Sequence, residues 1–245
     1  MIRIEHIIDH SILTSAIPAA GAVVLDCGAN QGDFAKWASD RFGATVYSFE
    51  ADPVLAKRLP ACRGVHWFNV AIAGEDGRMT LRRANDRCTS GVFNTQAESA
   101  DTFQVACRSL DSFCAEHGIR HVDLLKLDIE GAELDVLESA CPEFLASVDQ
   151  ITCEFHDFLD AAHVPRIEAV IRRMKRLGFV VIRMSYWTYG DMIMVNQRSI
   201  SLGPWDRLRI GMHKYSAGVA RLVAPSLAPR TMIVHQIPVC TGYPS

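Results

Sequence analysis

The segment VVLDCGANQGDFAKW, residues 23–37, constrains the fold more than any other part of the chain. A run of apolar residues ends at Asp26 and is followed by a turn with Gly28 and Gly32 and then by a helical pattern. Such a turn joins a strand to a helix in βαβ units, and it lets the backbone approach a ligand closely because glycine has no Cβ. We therefore predict an α/β fold that binds a nucleotide-like cofactor at this turn.

The rest of the chain alternates between short β-type runs and helical stretches, which favours a mostly parallel sheet covered by helices. Seven runs rich in β-branched and aromatic residues are predicted strands: Ala22–Asp26, Thr45–Glu50, Val65–Val70, Val122–Asp128, Gln150–Phe155, Phe179–Met184 and Asp191–Val195. The predicted helices lie at Gly32–Arg41, from Asp52-Pro53 onward, at Gly131–Ser139 and at Pro165–Leu177. A chain of 245 residues can bury one core of this kind, so we predict one doubly wound α/β domain over residues 1–197.

Two segments of this domain depart from the alternating pattern. Residues 75–110 show turn signals at Asp76-Gly77 and Ser90-Gly91, and we predict a hairpin-like insertion beside the pocket, before the fourth strand. Residues 1–20 are predicted to form an N-terminal helical segment.

Residues 198–245 form a predicted C-terminal extension with six basic residues and one acidic residue. The part at Trp205–Leu227 is basic and partly apolar, so it could lie on an anionic membrane surface, pack on a neighbouring subunit or cover the pocket. We favour packing, including a homo-oligomer contact, because Pro225 and Pro229 interrupt any long helix.

Charge, hydropathy and cysteine usage exclude several classes of protein. A formal net charge of −3 offers no general attraction for polyanions, and no [DN]-P-P-[YF] segment exists, so a nucleic-acid partner is not expected. No apolar run approaches about 18 residues, so we expect neither a signal peptide nor an integral membrane segment, and a cytoplasmic protein. The eight cysteines form no C-x-x-C pair, which is typical of free thiols.

The glycine turn has the pattern G-x-N-x-G, with Asn30 at its centre and Asp26 two residues before the first glycine. A carboxylate at that position repels a pyrophosphate, whereas it can accept a hydrogen bond from a cationic amine. The pattern therefore favours S-adenosyl-L-methionine, whose aminoacyl end is cationic, over a nicotinamide dinucleotide. A glycine turn that binds no ligand is the alternative for this segment.

Glu50 ends the second predicted strand, 18 residues after Gly32. An acidic side chain at this strand tip can accept hydrogen bonds from both hydroxyls of a ribose, which indicates an adenosine-containing cofactor. The alternative is a surface acid beside a helix. After the third predicted strand, Asn69 and Ala71 occupy the place from which an amide or backbone group could contact the adenine.

The segment LLKLDIEGAELDVLESA, residues 124–140, places charges at the end of the fourth predicted strand. Lys126, Asp128 and Glu130 share one face because strand side chains alternate. Open α/β sheets bind ligands at this end, and a charged cluster there is costly to desolvate without partners. We predict a functional role. The alternative is that Lys126 forms a structural salt bridge with Asp128 or Glu130, while Glu130 and Glu133 only complement a helix dipole.

The tip of the fifth predicted strand, CEFHDF, places Glu154 and His156 on one face. A histidine can accept a hydroxyl proton near neutral pH, so His156 is the candidate general base, and a buried structural histidine is the alternative. Asp128 and Glu154 could together bind a divalent metal. No compact ligand motif demands one, and we predict no metal site.

Six motifs together resemble the FkbM family of S-adenosylmethionine-dependent methyltransferases: DCGANQG, FEADP, the N-x-A after the third strand, SLDSF, KLDIEGAE and EFH. The resemblance covers about residues 20–197, and K-x-D-x-E-G-x-E is its most distinctive element. It implies a Rossmann-like class I methyltransferase sheet of seven strands with the last one antiparallel. It also implies O-methylation of hydroxyls on sugars, polyketides or related metabolites.

The resemblance and the residues together predict an S-adenosylmethionine-dependent O-methyltransferase that acts on a hydroxyl of a small molecule or glycan. Asp128, Glu130 and His156 would orient or deprotonate the hydroxyl, and Lys126 would hold the carboxylates in place. The alternatives are an NAD(P)-dependent oxidoreductase on a related Rossmann fold and a binding module without turnover. The predicted cofactor-binding residues are Asp26, Gly28, Ala29, Asn30, Gly32, Glu50, Ala51, Asn69, Ala71 and Asp128.

Overall fold

A computed structural model describes residues 2–84, 87–90, 101–157 and 161–223. The strands in these ranges are β1 (Glu5–Ile7), β2 (His10–Ile12), β3 (Val23–Cys27), β4 (Thr45–Phe49), β5 (Val65–Phe68), β6 (Ala71–Ile72), β7 (Gly77–Ala84), β8 (Arg87–Ser90), β9 (Asp101–Arg108), β10 (Leu124–Leu127), β11 (Gln150–Cys153), β12 (Phe179–Arg183) and β13 (Met192–Asn196). The α-helices are α1 (Asp33–Phe42), α2 (Pro53–Ala56), α3 (Leu110–Glu116), α4 (Glu133–Ser139), α5 (Pro142–Ala146), α6 (Val164–Arg176) and α7 (Pro204–Val223).

The main sheet has seven strands in the order β12-β13-β11-β10-β3-β4-β5. Strands β5, β4, β3, β10 and β11 run parallel, and β13 is antiparallel to both of its neighbours, β11 and β12. The strand order reverses between β3 and β10, so helices cover both faces of the sheet. The predicted doubly wound fold, its seven strands and its antiparallel last strand are confirmed.

The central strands owe their position to near-continuous apolar runs, which are typical of strands covered on both faces. Every residue of β10, β11 and β13 is buried. Helix α6 packs on the sheet through Ile167, Val170 and Met174, which recur at helical spacing on one face. Gly43 takes a left-handed conformation, with a φ of 54°, directly after α1 and ends that helix.

Residues 5–12 form a β-hairpin and, among the described residues of this segment, only Thr14–Ala16 form a short 3-10 helix, so the prediction of a helical segment over residues 1–20 is wrong. Strands β1 and β2 pair antiparallel, and Ile8 in the turn has a φ of 45°. Ser11 donates from its backbone nitrogen and its hydroxyl to the two carboxylate oxygens of Asp191, at 3.0 and 2.6 Å. The hairpin is thus held by partners far along the chain, which outweigh its local preference.

The insertion before β10 is a small sheet with the order β6-β9-β7-β8, as the turn signals at Asp76-Gly77 predict. Strand β7 pairs antiparallel with β8 and β9. Gly91, in the second predicted turn, lies outside the described residues. Leu81 and Val105 form a small apolar cluster with Ala71, next to the main sheet.

Helix α7 begins the C-terminal extension and has 20 residues. A long helix therefore forms despite the prolines at 225 and 229, because both follow its last residue. Leu202 and Ile210 pack against Leu13 and Val195, so the first part of the extension packs on this chain. In the part of the chain that the structure describes, no helix combines the length and the apolar character needed to cross a bilayer.

Candidate active site

A cavity of about 300 Å³ opens at the carboxyl ends of β3, β4, β10 and β11. This is the edge of an open α/β sheet at which ligands bind. The hairpin turn and the insertion form its other walls. The lining residues are Ile8, Asp9, Gly28, Asn30, Phe49, Glu50, Ala51, Leu55, Val70, Ala71, Ile72, Met79, Leu81, Asp128, Ile129, Glu130, Ala132, Glu154 and His156.

The turn after β3 lies against the end of β10 at Gly28. This glycine has a φ of 94°, and a Cβ placed on it would lie 1.8 Å from the carbonyl oxygen of Asp128. The nitrogens of Gly28 and Ala29 both donate to the carbonyl oxygen of Phe49, at 3.0 and 2.8 Å. Only glycine fits this position, so the turn is fixed between β4 and β10 and its backbone lines the cavity.

Glu50 binds the turn through its side chain. Its Oε2 accepts from the nitrogen of Asn30 at 2.7 Å, and its Oε1 accepts from the nitrogen of Asp52 at 2.8 Å. Burial raises the pKa of Glu50, although these backbone hydrogen bonds oppose the shift. Each carboxylate oxygen retains acceptor capacity after one hydrogen bond. Glu50 can therefore position the turn and still accept from a ligand in the cavity.

Asn69 and Ala71 have different surroundings although both follow β5. The Asn69 amide nitrogen donates to the carbonyl oxygens of Glu50 and Ala51, at 2.8 and 3.2 Å. Asn69 thereby fixes the backbone after β4, whereas Ala51 and Ala71 line the cavity.

Asp26 lies beneath the turn instead of in the cavity wall. It is fully buried, accepts from the hydroxyl of Ser48 at 2.6 Å and lies 3.3 Å from Nζ of Lys126. Lys126 also donates to the carbonyl oxygen of Gly28 at 2.6 Å. Burial lowers the pKa of Lys126, but Asp26 and Asp128 outweigh it and raise that pKa above its usual range. The salt bridge of Lys126 with Asp128, which the sequence left open as an alternative, is present at 3.4 Å, whereas the ion pair with Asp26 was not predicted.

Asp128 lies next to a lysine and two histidines. Its Oδ2 is 3.4 Å from Nζ of Lys126 and 3.5 Å from Nε2 of His10, and its Oδ1 is 3.8 Å from Nε2 of His156. Burial alone would raise the pKa of Asp128, but Lys126 and the histidines hold it well below its usual range. Asp128 is therefore an ionised carboxylate with nitrogen-bearing side chains on three sides.

His156 is buried and binds carboxylates through both ring nitrogens. Nε2 lies 3.4 Å from Oε2 of Glu130, and Nδ1 lies 3.3 Å from Oε1 of Glu133. Burial lowers the pKa of His156, but Glu133, Glu130 and Asp128 outweigh it and raise that pKa to about 9. The imidazole therefore carries a proton at neutral pH, and it has to release that proton before it can act as a base.

Glu133 supports this arrangement from below and was not predicted to do so. It is buried, and its carboxylate accepts from the nitrogens of Ile129 and Gly131 at 2.7 and 3.0 Å. Glu130 lies inside this loop with a φ of 52°. The sequence pattern assigned Glu133 to the helix dipole, because it does not reveal that the loop folds back over this side chain.

Glu154 lines the cavity beside Asp128. Burial and the negative charge of Asp128 raise the pKa of Glu154 to about 8. His10 lies on the other side of Asp128 and was missed in the sequence, because only the hairpin brings it to this edge. The site thus gathers Glu130, Glu154 and His156 around Asp128, all of them in the loops that follow β10 and β11.

The predicted site residues fall into two groups. Of the predicted residues, Gly28, Asn30, Glu50, Ala51, Ala71, Asp128, Glu130 and His156 line the cavity. The others support it: Asp26 and Lys126 lie beneath the turn, Ala29 and Gly32 belong to the turn itself, and Asn69 holds the end of β4. The turn closes through a 2.8 Å hydrogen bond from the nitrogen of Gly32 to the carbonyl oxygen of Ala29.

This chain is similar to known methyltransferase sequences. The family model described as Methyltransferase FkbM domain matches residues 26–181. The 2-O-methyltransferase NoeI of Sinorhizobium fredii is 29% identical over 168 residues, which cover 60% of this chain and 69% of NoeI. The AMB antimetabolite synthetase AmbE of Pseudomonas aeruginosa is 28% identical over 202 residues, covering 65% of this chain but only 10% of AmbE.

Among solved structures, a TehB-like SAM-dependent methyltransferase from Corynebacterium glutamicum is similar at 14% identity with a TM-score of 0.36. That match covers 72% of this chain and 81% of the other.

Proposed function

Because the chain belongs to the FkbM methyltransferase family, we propose that it transfers a methyl group from S-adenosylmethionine to a hydroxyl of a sugar, glycan or related metabolite. One observation carries the proposal: the glycine turn, Glu50 and the carboxylate cluster around Asp128 line the same cavity. The name of the relative NoeI, a 2-O-methyltransferase, supports an oxygen acceptor.

The residues present fit S-adenosylmethionine. Gly28 lines the cavity, so the backbone at the end of β3 can touch a ligand. Glu50 offers carboxylate oxygens for ribose hydroxyls. When bound, S-adenosylmethionine supplies a methyl group on a positively charged sulfur. Asp128 and Glu130 line the cavity, so carboxylate oxygens are available near such a cation.

The chain's own contribution is first to position the two reactants. Holding two groups in reactive geometry can lower a barrier by about 7–11 kcal/mol in favourable models, whereas a general base contributes roughly 10²–10⁴-fold. Lys126 fixes Asp128 from below, and Glu133 fixes His156, so both side chains are held before a substrate arrives. Asp128, Glu130 and His156 then orient the acceptor hydroxyl, and a carboxylate of this cluster takes up its proton, because the His156 imidazole already carries one.

Isothermal titration calorimetry of the purified chain with S-adenosylmethionine, S-adenosylhomocysteine, NAD and NADP tests the cofactor. We expect binding of the two sulfur compounds alone, and at least tenfold weaker binding in Glu50→Gln. Glu75→Gln, at an exposed acidic residue, is the matched control and should bind normally. Binding of NAD or NADP, or of none of the four, would contradict the proposal.

A methyl-transfer screen over hydroxylated sugars and metabolites then tests the acceptor. Tritium from S-[methyl-³H]adenosylmethionine should appear in a product with a new O-methyl group. Transfer to amines alone would contradict the assignment of a hydroxyl acceptor.

A further inference from the structure

The N-terminal hairpin places one histidine at the carboxyl ends of β10 and β11. His10 is fully buried, and its Nδ1 lies 3.2 Å from the hydroxyl oxygen of Thr152. Its Nε2 makes no hydrogen bond of standard geometry, and the nearest carboxylate oxygen, Oδ2 of Asp128, is 3.5 Å away. A buried ring nitrogen whose contact with a carboxylate is this long is poorly satisfied, which indicates that a further group binds there.

Glu154 completes a set of three metal-binding side chains. One ligand atom each from His10, Asp128 and Glu154 lie within 4.8 Å of one another. Metal bonds to such ligands are about 2.0–2.2 Å long, so two ligand atoms on one ion lie at most about 4.4 Å apart. Shifts of the three ligand atoms by a few tenths of an ångström would therefore bring them within bonding distance of one ion.

We propose that His10, Asp128 and Glu154 bind a divalent metal ion. One imidazole nitrogen and two carboxylate oxygens suit Mn²⁺ or Zn²⁺ better than Ca²⁺ or Mg²⁺, which prefer oxygen ligands alone. Metal-binding histidines commonly donate a hydrogen bond from the ring nitrogen that does not bind the metal, and Thr152 can accept this bond from His10. When His10 Nδ1–H donates to the Thr152 hydroxyl, His10 Nε2 carries the lone pair that faces the carboxylates.

A second cluster shares Asp128 but is less suited to a metal. Asp128, Glu133 and His156 also have ligand atoms within 4.8 Å of one another. The Glu133 carboxylate, however, already accepts two backbone hydrogen bonds that hold the loop after β10, from Ile129 and Gly131. Binding a metal there would compete with the loop, whereas the carboxylate of Glu154 lies in the cavity wall.

The metal would lie beside the acceptor part of the cavity, and this consequence rests on the proposed function. Asp128 and Glu154 both line the cavity, so an ion between them can also bind an oxygen from a substrate. A bound divalent cation lowers the pKa of a coordinated hydroxyl and fixes its position. The three ligands would then help to choose an acceptor with an oxygen that can reach the ion.

Electron paramagnetic resonance with Mn²⁺ as the probe tests the site without cofactor or acceptor. After removal of metals with EDTA and dialysis, the chain should deplete the signal of free Mn²⁺ with a stoichiometry of one. Electron spin echo modulation should show coupling to one ¹⁴N nucleus. Zn²⁺ added in competition should release the Mn²⁺.

Three variants distinguish this site from other contacts. His10→Gln and Glu154→Gln should each weaken Mn²⁺ binding at least tenfold, and His10→Gln should also abolish the nitrogen coupling. His121→Gln is the matched control, because His121 belongs to a separate cluster with Asp123 and Asp149, and it should bind Mn²⁺ normally. Circular dichroism of each variant shows whether it is folded.

Failure of the metal proposal can be told apart from failure of the proposed function. If the chain leaves the Mn²⁺ signal unchanged, or binds Mn²⁺ equally well in both ligand variants, His10 is a structural residue and the proposal is wrong. S-adenosylmethionine binding is measured separately by calorimetry, so a chain that binds the cofactor but no Mn²⁺ retains the proposed function and refutes only the metal site.

Discussion

The ion pair of Asp26 and Lys126 joins the two central strands of the sheet beneath the cofactor turn. The two residues are register partners on β3 and β10, and their side chains are 0% and 5% exposed. Ser48 donates a hydrogen bond to one oxygen of Asp26, and Lys126 lies next to the other. The stability of the sheet should therefore depend on keeping both partners.

Lys126→Met removes the charge and keeps an unbranched side chain. Breaking a buried ion pair by removing one partner costs about 3–5 kcal/mol, because the other charge stays buried without compensation. The retained hydrogen bond from Ser48 and the partial exposure of Asp128 place the expected loss near the lower end, at about 3 kcal/mol. With an m-value of about 3 kcal/mol per molar urea, the unfolding midpoint should fall by about 1 M.

Urea unfolding followed by circular dichroism measures this loss, and a double variant tests its cause. Adding Asp26→Asn to Lys126→Met removes the buried charge, so the double variant should recover at least about 1.5 kcal/mol relative to the sum of the two single changes. Lys36→Met is the control, because Lys36 and Asp40 form an exposed pair on α1 and the midpoint should not change. A loss of unfolding free energy below about 1 kcal/mol in Lys126→Met would refute the reasoning, and so would a double variant whose loss equals the sum of the two single losses.

Two further predictions follow from other parts of the structure. Gly28→Ala should weaken S-adenosylmethionine binding at least tenfold in calorimetry and lower the urea midpoint, because its Cβ would overlap the carbonyl oxygen of Asp128. Gly118→Ala is the control: Gly118 has a φ of 64° and no atom within 4 Å of its Cβ position, so this variant has the backbone strain alone. An equal loss of stability in Gly118→Ala would contradict the role of the overlap. Burial raises the pKa of Cys114 to about 12, so at pH 8 the native thiol should react with iodoacetamide about a thousandfold more slowly than an exposed cysteine. Mass spectrometry of the labelled peptides measures this, and fast labelling of the native chain would show that the thiol is accessible.

The strands of the main sheet could be predicted because each is a local pattern. Runs such as Leu124–Leu127 and Met192–Asn196 are apolar except for Lys126 and Asn196, and both runs are too short for helices. The glycine turn could be located for a similar reason, because G-x-N-x-G is a local pattern. Gly28 is required in it because the chain after β10 leaves no room for a Cβ.

The position of Asp26 could not be predicted from its own segment. The sequence suggested that Asp26 accepts from the amine of the cofactor, but its side chain points beneath the turn towards Lys126. The pairing is set by the register of β3 with β10, between residues that are 100 positions apart in the chain. Local spacing carries no information on that register.

The hairpin is the other feature that the sequence did not reveal. His10 contacts Thr152, 142 residues away, and Ser11 contacts Asp191, 180 residues away. Both side chains are polar, so the hydrophobic pattern that identifies strands is weak in β2. His10, the third side chain of the proposed metal site, could therefore be identified only from the three-dimensional structure.

Asp128 connects the part of the cavity that would hold the cofactor with the part that would hold the acceptor. Its carbonyl oxygen lies against Gly28, and its carboxylate lies between Lys126 and the histidines at positions 10 and 156. A shift of the turn after β3 must therefore move Asp128, the residue that we propose orients the hydroxyl. Since methyl transfer depends chiefly on alignment, fixing both reactants against one residue is a direct way to limit their relative motion. Substitutions that loosen this contact should lower the rate of transfer more than they weaken the binding of either reactant alone.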